Sequence, residues 1–194
     1  METRGARQGG RRSIRMEDYD YASAGAYFIT ICSQNRGFVF GNVINDAVEL
    51  TALGQIVLDA WLRLQERFPS IVLDTFMIMP NHLHALILMR ESAGAGLPRP
   101  LTHAQGASRP LQEGAETAPL QRSTLGQVIA YFKYQTTKSV NSTNGTPGLR
   151  LWQRNYYEHV IRNEDELRTA REYILTNPLR WAIDRENPES GRHK

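Results

Sequence analysis

Alternating and apolar residues from Tyr27 to Ser33 predict a first strand. The stretch FVFGNVINDAVEL follows, with Gly41 and the Asn45-Asp46 pair as turn signals, and reads as a short hairpin. From Thr51 to Arg67 the period changes. Leu53, Ile56, Val57, Ala60, Trp61 and Leu64 recur at helical spacing until Pro69 stops the run. Ile71 to Met79 predicts a second strand, and the tight-turn dipeptide Pro80-Asn81 lets His82 to Met89 return as its antiparallel partner. Between Glu91 and Arg122 large apolar residues give way to Gly, Ala, Pro, Ser and Gln, so this stretch has no core to bury and is expected to be a mobile insertion. Ser123 is the expected N-cap of a helix that carries Leu125, Val128, Ile129 and Phe132 on one face and ends before NSTNGTPG. The aromatic and β-branched LWQRNYYEHVIR predicts a further strand. Asn163 and Glu166 form a capping-box pair, with Glu164 and Asp165 in the first turn of a last helix that Pro178 ends. Hairpin-linked strands with helices on the sheet faces indicate an α+β fold: a ferredoxin-like sandwich with a central antiparallel sheet and helices packed on it.

With 194 residues the chain suits one domain. The expected organisation is a basic arm over residues 1–20, one domain over 21–183 interrupted by the insertion at about 91–122, and a tail over 184–194. No apolar run approaches the roughly 20 residues of a bilayer span. The amino-terminal METRGARQGGRRSIR is followed by no apolar signal core, so a cytoplasmic location is expected. Cys32 is the single cysteine, which excludes an internal disulfide and a Cys-rich zinc site and reads as a small buried hydrophobe. Net charge is only +3, yet Arg4, Arg7, Arg11, Arg12 and Arg15 crowd the Gly-rich arm. Arginine forks pair with phosphates, which suits a polyanion; a disordered, solubilising terminus fits the same composition.

In MPNHLHALILM, residues 79 to 89, strand alternation puts His82 and His84 on one face and Leu83 on the other. Two imidazoles so placed can converge on one divalent ion, with at least one further ligand from elsewhere; on this motif alone, two structural histidines are the commoner explanation. His159 in the late strand fits a structural role, and His103 and His193 lie in the insertion and the tail. In the last helix Leu167, Ala170 and Ile174 form the apolar stripe. Tyr173 and Asn177, off its centre, are neighbours one turn apart. They make an ordinary helix-rim pair or, beside a metal, a phenol nucleophile and a carbonyl ligand.

Taken together, RMEDYDYASAGAYFITICSQNRGFVFG, MPNHLHALILM, GTPGLRLWQRNYYEHVIR and REYILTNPLRW, in this order, resemble the REP-associated tyrosine transposases, members of the HUH single-strand endonuclease superfamily. The resemblance implies that His82 and His84 bind Mg²⁺ or Mn²⁺ and that Tyr173 is the nucleophile. It puts Asn177 at the third-ligand position, where relatives often carry glutamine; Glu158 or a water are the alternatives, as Tyr156 and Tyr157 are for the nucleophile. It further implies nicking and joining of single-stranded or hairpin DNA of REP type through a 5′-phosphotyrosine, by a monomer or homodimer without a membrane. The arm's five arginines, with Lys133 and Lys138, are the candidate DNA contacts. A catalytically inactive DNA binder or repressor of the same fold, and a hydrolase that activates water, are the competing functions.

Overall fold

A computed structural model describes residues 24–90 and 123–190. The basic arm with its five arginines, the expected insertion, His103 and His193 lie outside the described residues. Alternation along β1 (Gly25–Cys32) buries Tyr27, Ile29 and Ile31 on one face and leaves Phe28 and Thr30 on the other. The hairpin β2 (Gly41–Ile44) and β3 (Ala47–Leu50) turns at Asn45 and Asp46, whose φ values of 50° and 61° are those a two-residue turn between twisted strands requires. Next comes α1 (Ala52–Leu62), where the Thr51 hydroxyl accepts the Gly54 N–H at 3.1 Å. Any Cβ at Gly54 would overlap the Phe40 carbonyl oxygen, so glycine alone allows the helix to start this close to the preceding chain. A short α2 (Leu64–Arg67) leads to β4 (Ile71–Met79) and β5 (His82–Met89), both with the bounds that alternation predicts. The chain is completed by α3 (Leu125–Asn144), β6 (Tyr157–Ile161), α4 (Glu164–Leu175) and a 3₁₀ turn at Pro178–Ile183.

The main sheet has the order β4-β5-β1-β6 with every neighbouring pair antiparallel, so the connection from β1 to β4 passes over β5. This is the expected ferredoxin-like α+β arrangement. On one face, Tyr27, Ile29, Ile31, Leu83, Ala85 and Ile87 pack against α1 and α3 in the main core. The opposite face carries a smaller cluster, Leu86 with Leu167 and Ile174 of α4.

Four local expectations change. Thr124, not Ser123, caps α3: its hydroxyl accepts the Gln127 N–H at 3.2 Å and its own N–H donates to Gln127 Oε1 at 2.8 Å. The helix then runs on through the polar NSTN and stops where Gly145 adopts φ 64°. The stretch LWQRNYYEHVIR pairs as a strand only in β6; Trp152 instead makes an isolated bridge to Ser33 and donates its indole N–H to Thr136 at 2.7 Å. Beyond the 3₁₀ turn, Asp184, Glu186 and Asn187 are buried, so the packed chain continues past the expected start of the tail.

The register of β4 against β5 shifts between Leu73 and Phe76. There Asp74 accepts from Arg171 Nε and Nη2 at 2.9 and 2.7 Å, a two-point clamp between the bulge and α4. The Arg171 guanidinium holds the Asp74 carboxyl down from its ordinary 3.8 to about 2. A carboxylate depressed in the folded state stabilises above its unfolded pKa, and the gain is lost as pH falls through its folded one. Asp74→Asn is therefore expected to cost about 1 kcal/mol, the small value of a solvent-screened pair, since Arg171 is 41% exposed. Amide exchange along α4 should quicken in the variant at pH 7, and the difference should shrink as pH falls below the unfolded carboxylate value toward 2; equal rates at pH 7 would remove the clamp from the account.

Candidate active site

In the sheet, His84 lies opposite Thr30 and Met77, and His82 opposite Cys32 and Met79. Both histidines point to the α4 side and have no exposed surface, while Leu83 enters the main core. Their ring centroids are 4.3 Å apart. Each ring is held through Nδ1: His84 Nδ1 is 2.8 Å from the Thr30 hydroxyl, and His82 Nδ1 is 2.8 Å from Asn81 Oδ1. The Asn81 amide nitrogen donates to the Glu186 and Arg36 carbonyls at 2.7 and 3.3 Å, which turns its oxygen toward His82. An amide oxygen only accepts, so His82 carries its proton on Nδ1 and a lone pair on Nε2. Among the described residues that buried Nε2 has no hydrogen-bond partner. Burial pushes His82 down to about 3, helped by the Arg36 and Arg185 cations. Burial and the adjacent His82 push His84 the same way, against the charge of Asp184. Both rings are thus neutral near pH 7, the form that ligates metals.

Tyr173 reaches this pair from α4. Asn163 Oδ1 caps the helix by accepting the Glu166 N–H at 2.9 Å, as the sequence predicts. The Tyr173 ring lies 5.2 Å from that of His84 and 5.9 Å from Phe28, and its Oη is 3.5 Å from His84 Nε2. That contact is too long for a strong hydrogen bond. Burial raises the phenol pKa, and Asp184 and Glu186 add to the rise; Arg185 and the Asn177 amide oppose it. Asn177 is buried, donates Nδ2 to Asp184 Oδ2 at 3.0 Å, and leaves Oδ1 buried without a partner among the described residues. No group of three or more His, Cys, Asp or Glu suited to a metal occurs among those residues.

A cavity of about 800 Å³ opens between β6 and α4, with Phe28, Tyr157, Ile161, Thr169, Tyr173 and Arg185 on its wall. At the other end of the pair, Trp181 packs 6.0 Å from the His82 ring and 5.5 Å from Phe38.

Other sequence candidates fall elsewhere. Glu158 pairs with Ile29, whose side chain belongs to the main core, and so projects from the face away from the histidines. Tyr156 also packs against the main core, whereas Tyr157 shares the site's face and is 41% exposed. His159 lies 3.5 Å from Glu166, in keeping with a structural role. Lys133, a candidate DNA contact, is half-buried and gives its ammonium to the carbonyls of Gln153, Arg154 and Asn155 at 2.6, 3.1 and 3.4 Å. Lys138 is exposed, but on α3, the layer across the sheet from Tyr173. Thr30, Asn81, Asp184, Arg185 and Glu186 were not among the sequence candidates. Thr30 had a usable signal, since it continues the alternation Phe28, Thr30, Cys32 on the face opposite Ile29 and Ile31.

No family model matches the chain. An uncharacterized protein of Haemophilus influenzae is 38% identical over 176 residues, covering 90% of this chain and 91% of that protein. The chain belongs to the family of that protein. The structure of the REP-associated tyrosine transposase bound to a REP hairpin shares the fold, with a TM-score of 0.56 over 89% of this chain and 76% of that one at 18% identity. Among the described residues no helix is long and apolar enough to cross a membrane.

Phe28 touches both halves of the site, its ring 5.4 Å from His84 and 6.3 Å from Tyr157. Phe28→Ala is expected to cost about 2 kcal/mol in chemical unfolding, less than at a fully buried Phe, and to speed iodination of Tyr173. Lost stability with unchanged Tyr173 reactivity would separate Phe28 from the placement of that ring.

Proposed function

We propose that the protein is a metal-dependent single-strand DNA endonuclease and strand transferase that acts on REP-type hairpins through a 5′-phosphotyrosine on Tyr173. The observation that carries this reading is Tyr173 Oη at 3.5 Å from His84 Nε2, on the sheet face that also holds His82. The fold shared with a tyrosine transposase whose structure contains a REP hairpin supports it.

Mg²⁺ or Mn²⁺ held by His82 Nε2, His84 Nε2 and Asn177 Oδ1 would polarise a non-bridging oxygen of the scissile phosphate and offset the charge developing there. Asn81 and Thr30 keep the imidazoles oriented. Tyr173 Oη attacks phosphorus in line and gives its proton to solvent in the cleft. The P–O3′ bond breaks, leaving a 5′-phosphotyrosine and a free 3′-hydroxyl. The covalent bond keeps the phosphodiester energy, so attack by another 3′-hydroxyl rejoins DNA without a nucleotide cofactor. Unpaired bases can enter the cleft and stack on the exposed ring of Tyr157. The arm's arginines supply phosphate contacts to the stem, so deleting residues 1–15 should weaken hairpin binding and flatten its salt dependence.

Incubation with a REP hairpin oligonucleotide and Mn²⁺ should yield a denaturant-resistant adduct. Tyr173→Phe and His82→Ala should abolish it, while Tyr157→Phe keeps it; an adduct in Tyr173→Phe would move the nucleophile elsewhere. The complete burial of His82 and His84 favours one rival, a DNA binder without catalysis. Hairpin binding unaffected by EDTA, with no adduct under any metal, would establish that rival instead.

A further inference from the structure

We infer that Asp184 is a positioning residue that turns the Asn177 amide so that its oxygen, and not its nitrogen, is the edge left free for a ligand. The inference rests on the proposed metal-binding role of the histidine pair. A planar amide presents an acceptor on one edge and donors on the other, and its partners decide which edge faces where. Asn177 lies just beyond α4 with 1% of its surface exposed, so water does not make that choice. Its partner is Asp184, itself 7% exposed, whose Oδ2 is 3.0 Å from Asn177 Nδ2 and whose Oδ1 accepts the Glu186 N–H at 2.6 Å. Both Asp184 oxygens serve as acceptors in these contacts, so the edge toward Asp184 is the NH₂ and the other edge the oxygen.

That oxygen is buried with no partner among the described residues, and so is His82 Nε2. Both are acceptor atoms whose orientation ends in one short segment. Asp184 turns Asn177, and the Glu186 carbonyl turns Asn81, which in turn fixes His82. Tyr173 Oη lies 3.5 Å from His84 Nε2, and the Asn177 amide acts on the phenol as a donor, through the same NH₂ that Asp184 engages. Buried acceptors with nothing to accept from are groups that a cation can satisfy. The segment after the 3₁₀ turn therefore belongs to the site's architecture, although none of its side chains was a candidate in the sequence.

Asp184 also acts by its charge on His84 and Tyr173, so the test must separate orientation from field. Mn²⁺ alone, titrated into the full chain without DNA and followed by the EPR signal of the free ion, provides it. Asn177→Ala and Asp184→Ala should each weaken Mn²⁺ binding about tenfold, the size of effect expected for a ligand's orienting partner. The double variant should bind no more weakly than Asn177→Ala alone. In an Asn177→Asp background, where either edge offers an oxygen, Asp184→Ala should no longer weaken binding. Multiplying losses in the first double variant, or full affinity in Asp184→Ala, would overturn the inference. His82→Ala is the control: if it leaves Mn²⁺ binding intact, the metal reading itself fails, and if it alone abolishes binding, only the role of Asp184 fails. Melting in EDTA checks folding, and Asp184→Ser, too short to reach Asn177, replaces any Asp184→Ala protein that lacks a cooperative transition.

Discussion

A slip of β5 by one residue against β1 would carry His82 and His84 through the sheet into the layer where Tyr27, Ile29 and Ile31 meet α1 and α3, and would put Leu83 and Ala85 beside Tyr173. Pairing on both sides prevents this, since β5 runs between β4 and β1 and is antiparallel to each. Burying each large side chain such as Leu83 or Ile87 contributes about 1.5–3 kcal/mol, while an imidazole in their place would lose its polar partners. The apolar core thus opposes the one-residue slip that would take His82 and His84 away from Thr30, Asn81 and Tyr173. Core packing and site geometry are the same constraint seen from the two faces of one strand.

The two faces are held with different strength. Leu83 belongs to a main core built from α1, α3 and the strands β1, β4 and β5, whereas α4 rests on a small cluster and on the two-point Asp74–Arg171 clamp. Tyr173 therefore belongs to the lighter of the two helical layers, two residues from the clamp's arginine. A third contributor, the chain from Pro178 to Asn187, closes the remaining side with Trp181 and the Asp184–Glu186 segment. Where a rigid strand meets a lightly attached helix and a terminal segment, atoms can be positioned on one side and admitted on the other.

Legibility in the sequence followed the reach of the forces involved. The bounds of β4 and β5 were readable because side-chain alternation is decided within a strand, and the Asn163 cap because it closes over three residues. The end of α3 was misplaced because polar NSTN looks like a turn, while the actual stop needs the left-handed Gly145. The segment from Leu151 to Arg154 has strand composition but is fixed by tertiary contacts, Trp152 to Ser33 and Thr136. At the site, His82 with His84 and Tyr173 with Asn177 were legible as pairs, since each is a local periodicity. Asp184 and Asn81 were not, because their roles exist only through distant partners: Asn177 for one, Glu186 and Arg36 for the other. The partners of Lys133 were equally out of reach of the sequence, since the fold brings three carbonyls from a distant segment to its ammonium.

Electrostatics adds a last selection among the groups gathered here. Cys32, opposite His82, offers a thiol on the same face, but burial and the Glu186 carboxylate push it up to about 12, and its Sγ lies 3.4 Å from Glu186 Oε2. At neutral pH it stays protonated, neither thiolate ligand nor nucleophile. Tyr173 is also held protonated by burial and by Asp184, yet its oxygen faces His84 and not a carboxylate. Positive charge arriving at the histidine pair would act first on the phenol in contact with that pair, while Glu186 goes on suppressing the thiol. On the proposed reading, the acidic segment thus does two things with one set of charges: it disfavours Cys32 as a competing nucleophile and leaves ionisation of Tyr173 dependent on what the histidines hold.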